Sequence, residues 1–199
     1  MRLYLVRHGE TAHNASGRTQ GSLNIPLNET GREQAHKLSE RLQGEKIDAF
    51  YSSTLDRAYE TALIVAAPHH KDVTKMPELC ELNYGTMEGI LHKDLNDFRA
   101  QKTVAFADLQ FPGGEHYQDA HARARTFLSH IRQRAAETVL VISHGSFMRV
   151  LLSEIMGETV ETMYERIPRQ KNTAVTLIDF DSTGRPNVVL TADAQHLEV

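Results

Sequence analysis

The sequence predicts an α/β fold built on a single doubly wound, mostly parallel sheet with helices on both faces. Three observations carry that reading. Short apolar runs alternate along the chain with segments of helical periodicity, the pattern of buried parallel strands joined by amphipathic helices. Two of the runs, Leu3-Tyr4-Leu5-Val6 and Val139-Leu140-Val141-Ile142, lead into the same dipeptide, as Arg7-His8-Gly9 and Ser143-His144-Gly145. And 199 residues suit one compact domain with a sizeable core and fall short of the usual length for two. Residues 1–199 are therefore read as one domain.

The first strand covers 2–7. A loop rich in Gly, Ser and Asn follows as far as Asn28, an N-cap for a helix with Ala35, Leu38 and Leu42 on one face; Thr30 and Glu33 offer an alternative capping box. Strand two is Ala49-Phe50-Tyr51-Ser52. It leads to a helix with Ala58, Ala62, Val65 and Ala66 inward, ended by Pro68. A short strand near 73–76 leads to Glu78. From Leu79 to Pro112 the pattern is irregular except for a helix near 92–101, and the stretch 82–116 reads as a cap-like excursion over the edge of the sheet. Loops of such length usually serve function. A long helix at 115–135 carries Ala120, Ala124, Phe127, Leu128, Ile131 and Ala135 at helical spacing. Strand 138–143 and helices at 145–156 and near 159–166 follow, and the alternating segments 173–180 and 187–191 close the sheet as strands that can run antiparallel.

The charge balance narrows the partners. With 22 basic against 26 acidic residues the net charge is −4, and no long run of like charge occurs, so neither nucleic acid nor an anionic membrane is an expected partner. Only four apolar residues separate Arg2 from Arg7, too few for a signal-peptide core or a membrane span, and a cytoplasmic protein is expected. The single cysteine, Cys80, reads as a small hydrophobe. The sequence leaves a homodimer open.

The chemistry gathers where strands end. In an open α/β sheet, ligands bind in the crevice at the carboxyl ends of the strands, and two strands ending in His-Gly deliver two imidazoles there. Glycine is expected at both positions so that the chain can turn tightly. Arg7 supplies a permanently charged fork that fits a phosphate, and His8 can present a neutral nitrogen as nucleophile. Arg57 stands in the first turn of the helix after strand two, where a cation opposes the helix dipole and calls for a compensating anion. Eleven histidines raise the possibility of metal. No His-x-His, His-x-x-x-His or Cys-x-x-Cys spacing is present, so no metal or other cofactor is expected. His13, His36, His69, His70, His92, His121, His130 and His196 read as packed or surface residues, and Lys93, Arg99 and Lys102 as a solvated helix face, with the alternative that one of the three meets a second anionic group. Phe98, Phe106 and Phe111 read equally well as core or as the lining of a cap.

In sum the motifs Arg7-His8-Gly9-Glu10-Thr11 with Asn14, Gln20-Gly21, Leu27 to Ala35, Ser52-Ser53 with Arg57-Ala58, Glu81 to Gly89, Pro112-Gly113-Gly114-Glu115, Ser143-His144-Gly145 and Lys171-Asn172-Thr173 resemble, in the same order, those of the histidine phosphatase superfamily, also called phosphoglycerate mutase-like. Asn28 stands where serine or threonine is common, one good N-cap for another. His116 stands where serine often follows the glutamate, a place at the mouth of the pocket that bears on substrate choice.

The resemblance implies the phosphoglycerate mutase-like fold and a two-step transfer. His8 attacks phosphorus in line to give a phosphohistidine, which water then hydrolyses. Arg7, Arg57 and His144 hold the equatorial oxygens, Asn14 adds a neutral donor, and Gln20, Gly21 and Gly145 complete the phosphate site. Glu81 is the implied proton donor, with Glu88 the competing glutamate that fits a downstream turn. Two observations favour a phosphatase of small phosphorylated metabolites over a mutase. The segment after His144 is almost used up by helices and strands, and Leu82 stands where the mutases carry arginine. The alternatives are a phosphoglycerate mutase and, from a different class, a non-catalytic phosphate sensor, whose mark would be loss of His8 or Glu81. Neither is missing.

Overall fold

The computed structural model describes residues 1–101 and 105–198. Among them six strands form one sheet: β1 (Arg2–Arg7), β2 (Ala49–Ser52), β3 (Val73–Lys75), β4 (Thr138–Ser143), β5 (Val175–Phe180) and β6 (Pro186–Asp193). Their order is β3-β2-β4-β1-β5-β6. The four strands from β3 to β1 are parallel, while β5 and β6 run antiparallel to their neighbours. The β5–β6 hairpin turns at Asp181, whose Oδ1 accepts from the Thr183 and Arg185 amides.

The apolar runs are continuous because both faces of the sheet are covered. Leu3, Leu5, Val139 and Val141 pack with residues of α5 (Tyr117–Arg132) and α6 (Gly145–Met156). Tyr4, Val6, Leu140 and Ile142 point the other way, onto α2 (Glu29–Leu42) and α3 (Asp56–Ala66). Each fully buried side chain of this kind contributes about 1.5–3 kcal/mol. No helix among the described residues is long and apolar enough to cross a membrane.

Several boundaries differ from expectation. The structure selects Asn28 as the cap of α2: its Oδ1 accepts from the Gly31 amide at 2.8 Å, while its Nδ2 donates to Glu10. A one-turn helix, α1 (Ala12–Ala15), lies in the first loop with Thr11 as its N-cap, too short for periodicity to reveal. Helix α5 starts at Tyr117, later than 115, because the Glu115 carboxylate turns away to accept from the Asn83 amide and from Arg123. The excursion carries α4 (His92–Ala100). It packs onto the α5 and α6 layer through Leu82, Tyr84, Leu95 and Phe111. A last helix, α7 (Val160–Arg166), follows α6.

Strand register sets the site. Arg7 pairs with Ser143 across the central β1–β4 ladder, and the His8 amide donates to the Ser143 carbonyl at 2.9 Å. His8 and His144 therefore leave the sheet side by side. Gly9 is needed for a reason other than a turn, since its φ is not positive. A Cβ there would overlap the carbonyl of Gly31, and one on Gly31 would overlap that of Glu10. The glycines let the loop after His8 lie directly against the start of α2.

Candidate active site

His8 is 2% exposed, and its Nδ1 lies 2.6 Å from the Gly9 carbonyl oxygen. A carbonyl only accepts, so Nδ1 carries the proton and Nε2 keeps its lone pair. His144, at the N-cap of α6, is the opposite case. Its Nδ1 faces Arg57 Nε at 3.2 Å, and a guanidinium only donates, so the proton sits on Nε2. That Nε2 is buried and has no protein partner. Burial, and then the nearby Arg57 and Arg7 guanidinium groups, hold both imidazoles well below the usual histidine range. Both rings are neutral at physiological pH.

Arg57 is fully buried. Besides His144 it donates to the Leu23 carbonyl at 2.6 Å and the Gly21 carbonyl at 2.8 Å. Three of its five N–H groups are thus spent on the protein and two remain. These two carbonyls supply part of the negative partner that a cation at a helix start calls for, and the two remaining N–H groups are left for an anion. Burial pushes Arg57 down to about 10 and Arg7 likewise, with Arg169 adding to the effect on Arg7. Arg7 donates to the Gln170 carbonyl, and its buried Nε has no partner. The turn at 171–173 supports His8 from behind. Asn172 Nδ2 donates to the His8 carbonyl at 2.9 Å and to Asn14 Oδ1, and the Thr173 amide donates to the Arg7 carbonyl. With its oxygen also accepting from the Thr11 amide, Asn14 keeps its NH2 end for the pocket it lines.

Glu81 reaches the start of α6. Its Oε1 accepts from the Leu82 and Phe147 amides and its Oε2 from the Ser146 amide alone. The helix start attracts the carboxylate, and Oε2 is the oxygen with a lone pair to spare for a proton. Glu88, by contrast, is a turn residue, accepting from Ser22 and from the Tyr84 amide.

A cavity of about 440 Å³ joins these groups. Arg7, His8, Asn14, Gln20, Gly21, Arg57, Glu81 and Gly145 all line it, while His144 lies one layer deeper, its ring 5.1 Å from that of His8. Gly21 sits at φ 55°, where a side chain would also overlap the Glu88 carboxylate, so its part is to present a carbonyl to Arg57. Other expectations are corrected. Arg99 lines the cavity rather than belonging to a solvated face, His92 is packed into the cavity wall, and His116 starts α5 away from it. Phe111 is core, and Phe98 is partly buried against that core. Lys102 and the side chain of Phe106 lie outside the described residues.

Ser146, Arg149, Tyr164 and Arg169 also line the cavity and were not singled out from the sequence. For two of the arginines a signal existed. Arg149 follows Gly145 by four residues, and His92, Leu95, Asn96 and Arg99 follow one face of α4, both helical spacings. Arg169 stands in a connection where no period applies.

Comparison with known proteins identifies the family. Residues 3–193 match the family described as the histidine phosphatase superfamily (branch 1). The chain is 33% identical over 204 residues to phosphoglycerate mutase-like protein 4 of Arabidopsis thaliana, covering 98% of this chain and 86% of that protein. It is 37% identical over 161 residues to a metal-independent phosphoserine phosphatase of the same plant, covering 77% and 68%. The crystal structure of phosphoserine phosphatase from Entamoeba histolytica in complex with 3-phosphoglyceric acid superposes with a TM-score of 0.84 at 27% identity, over 98% of each chain.

Proposed function

Because this chain belongs to the histidine phosphatase superfamily, we propose that His8 is its nucleophile and that Arg7, Asn14, Arg57 and His144 hold the phosphoryl group during transfer. The chain is a hydrolase of small phosphorylated metabolites, the activity that its family and its phosphatase relatives share. The observation that carries the assignment is the pairing of tautomers. His8 offers a lone pair on Nε2 and His144 a proton on Nε2, beside two arginines with unspent N–H groups.

In the first step the Nε2 lone pair of His8 forms the N–P bond as the ester P–O bond breaks. The leaving alkoxide takes a proton from the Glu81 carboxyl. The equatorial oxygens keep their charge throughout, so donors fixed in advance stabilise the transition state without reorganising. In the second step Glu81, now a carboxylate, takes a proton from the attacking water, the N–P bond breaks, and phosphate leaves. Gln20, Gly21 and Gly145 shape the phosphate end. Residues 1–199 act as one domain, with the excursion at 82–116 as a cap whose α4 faces the substrate.

Rapid quench with phosphorus-labelled substrate tests this assignment. The wild type is expected to yield an acid-labile, base-stable phosphoenzyme, and His8→Ala none. An adduct of that stability in His8→Ala would overturn the assignment.

A further inference from the structure

The catalytic cavity holds more positive charge than one phosphate needs. Among the described residues its lining carries five arginines, Arg7, Arg57, Arg99, Arg149 and Arg169, against one carboxylate, Glu81. Arg7 and Arg57 serve the phosphoryl group. The other three come from α4, α6 and the connection after α7, and among the described residues none is ion-paired with a carboxylate.

Arg99 and Arg149 are held in place by a ring. The Arg149 guanidinium carbon lies 4.8 Å from the centre of Tyr164 and that of Arg99 lies 5.2 Å from it, so one aromatic ring supports two cations. Stacking fixes the planes of the guanidinium groups without spending their N–H donors. Buried donors remain over: Nε and Nη2 of Arg99, Nε of Arg149 and Nε2 of His92 have no hydrogen-bond partner. Burial lowers Arg149 and His92 from their ordinary ranges, with Arg169 and Arg99 adding to the effect on each. Arg99 and Arg149 are half-buried and Arg169 is exposed, and cations gathered on one cavity wall without a carboxylate repel one another unless something of opposite sign is brought to them.

Resting on the phosphatase reading above, we infer that Arg99, Arg149 and Arg169 form a subsite for a second oxyanion of the substrate, a carboxylate or a further phosphate on the same small molecule. The phosphoryl group occupies the His8 end, and the second oxyanion sits against the Tyr164-supported arginines. Substrates lacking that group leave these donors unpaired in the complex and bind more weakly.

Glycerol 3-phosphate and 3-phosphoglycerate differ only in a hydroxymethyl against a carboxylate, and glycerol 1,3-bisphosphate carries a second phosphate instead. Calorimetry on His8→Ala protein, which needs no turnover, is expected to show at least one of the two ligands with a second anionic group binding about ten- to a hundredfold tighter than glycerol 3-phosphate. Whichever does so identifies the oxyanion. Adding Arg149→Met, or Arg169→Met should the first fail to fold, is expected to shrink that ratio towards one. Equal affinities for all three ligands, or a ratio unchanged in a folded arginine variant, would overturn the subsite. Phosphate release by the wild type is followed separately, and failure to hydrolyse any of the three esters would count against the phosphatase reading without touching the binding result.

Discussion

The rings of His8 and His144 lie 5.1 Å apart and hold their protons on opposite nitrogens, Nδ1 in the first and Nε2 in the second. Neither choice is local to the ring. The Gly9 carbonyl dictates one and Arg57 the other, and the β1–β4 register brings the two together.

Both imidazoles are held well below 6.5, and His196 is pushed down to about 4, chiefly by burial in each case. The unfolded chain, with ordinary histidines, takes up protons near 6.5 that the fold refuses. This contribution to stability is complete above that pH and is lost as pH falls from 6.5 towards 4. The melting temperature is expected to drop between pH 7 and pH 5, and nitrogen NMR should show His8 and His144 still neutral at pH 6. An imidazolium signal from either ring at pH 6 in the folded protein would contradict the burial argument.

Arg57→Lys keeps the charge and loses the fork. An ammonium cannot reach the Gly21 and Leu23 carbonyls and the His144 ring together, so a buried acceptor is stranded and the His144 tautomer is released. Loss of one preorganised transition-state donor lowers kcat by about 10²–10³. The same variant should show mixed His144 tautomers by NMR. Retention of kcat within threefold would mean that Arg57 acts as charge alone.

Glu81→Gln separates proton transfer from shape. The amide keeps an oxygen for the α6 amides but cannot protonate an alkoxide, so phosphoenzyme formation from an alkyl phosphate is expected to slow by about 10²–10⁴. A nitrophenyl ester, whose leaving group needs little protonation, should slow far less in single-turnover experiments. Equal losses for the two esters would remove Glu81 from the proton path.

Much of this site was legible because its residues sit where local pattern is strong. Arg7-His8 and Ser143-His144 terminate continuous apolar runs, and such runs fix both the strand and the edge at which the next residue emerges. Arg57 was legible for the same reason, one short loop beyond β2. What stayed hidden depended on contacts distant in sequence. The role of Gly9 is set by Gly31, which only the docked α2 brings near. Arg99 looked like part of a solvated face and His92 like a packed or surface histidine because α4 is polar on most sides, and only the packing of Tyr84, Leu95 and Phe111 turns one of those sides into the cavity wall. Arg169 had no period at all to betray it.

The fate of the phosphohistidine distinguishes a phosphatase from a mutase. Leu82, next to Glu81, is wholly buried in the core and brings no cation into the cavity at that position. A cavity of about 440 Å³ is much larger than a phosphoryl group, leaving room for water beside His8 once the alcohol departs, and Glu81 lines the same space to take its proton. Hydrolysis is therefore expected to outrun return of the group to an alcohol. Offered 3-phosphoglycerate with 2,3-bisphosphoglycerate as primer, the enzyme should release inorganic phosphate at least as fast as it makes 2-phosphoglycerate, followed by phosphorus NMR in one tube. Chelation of divalent ions should leave the rate unchanged if, as proposed, Arg7, Arg57 and His144 meet the charge on the transferring group. Primer-dependent interconversion far exceeding phosphate release would make the enzyme a mutase in practice, and it would mean that Arg99, Arg149 and Arg169 hold the acid in the cavity while water is kept from His8.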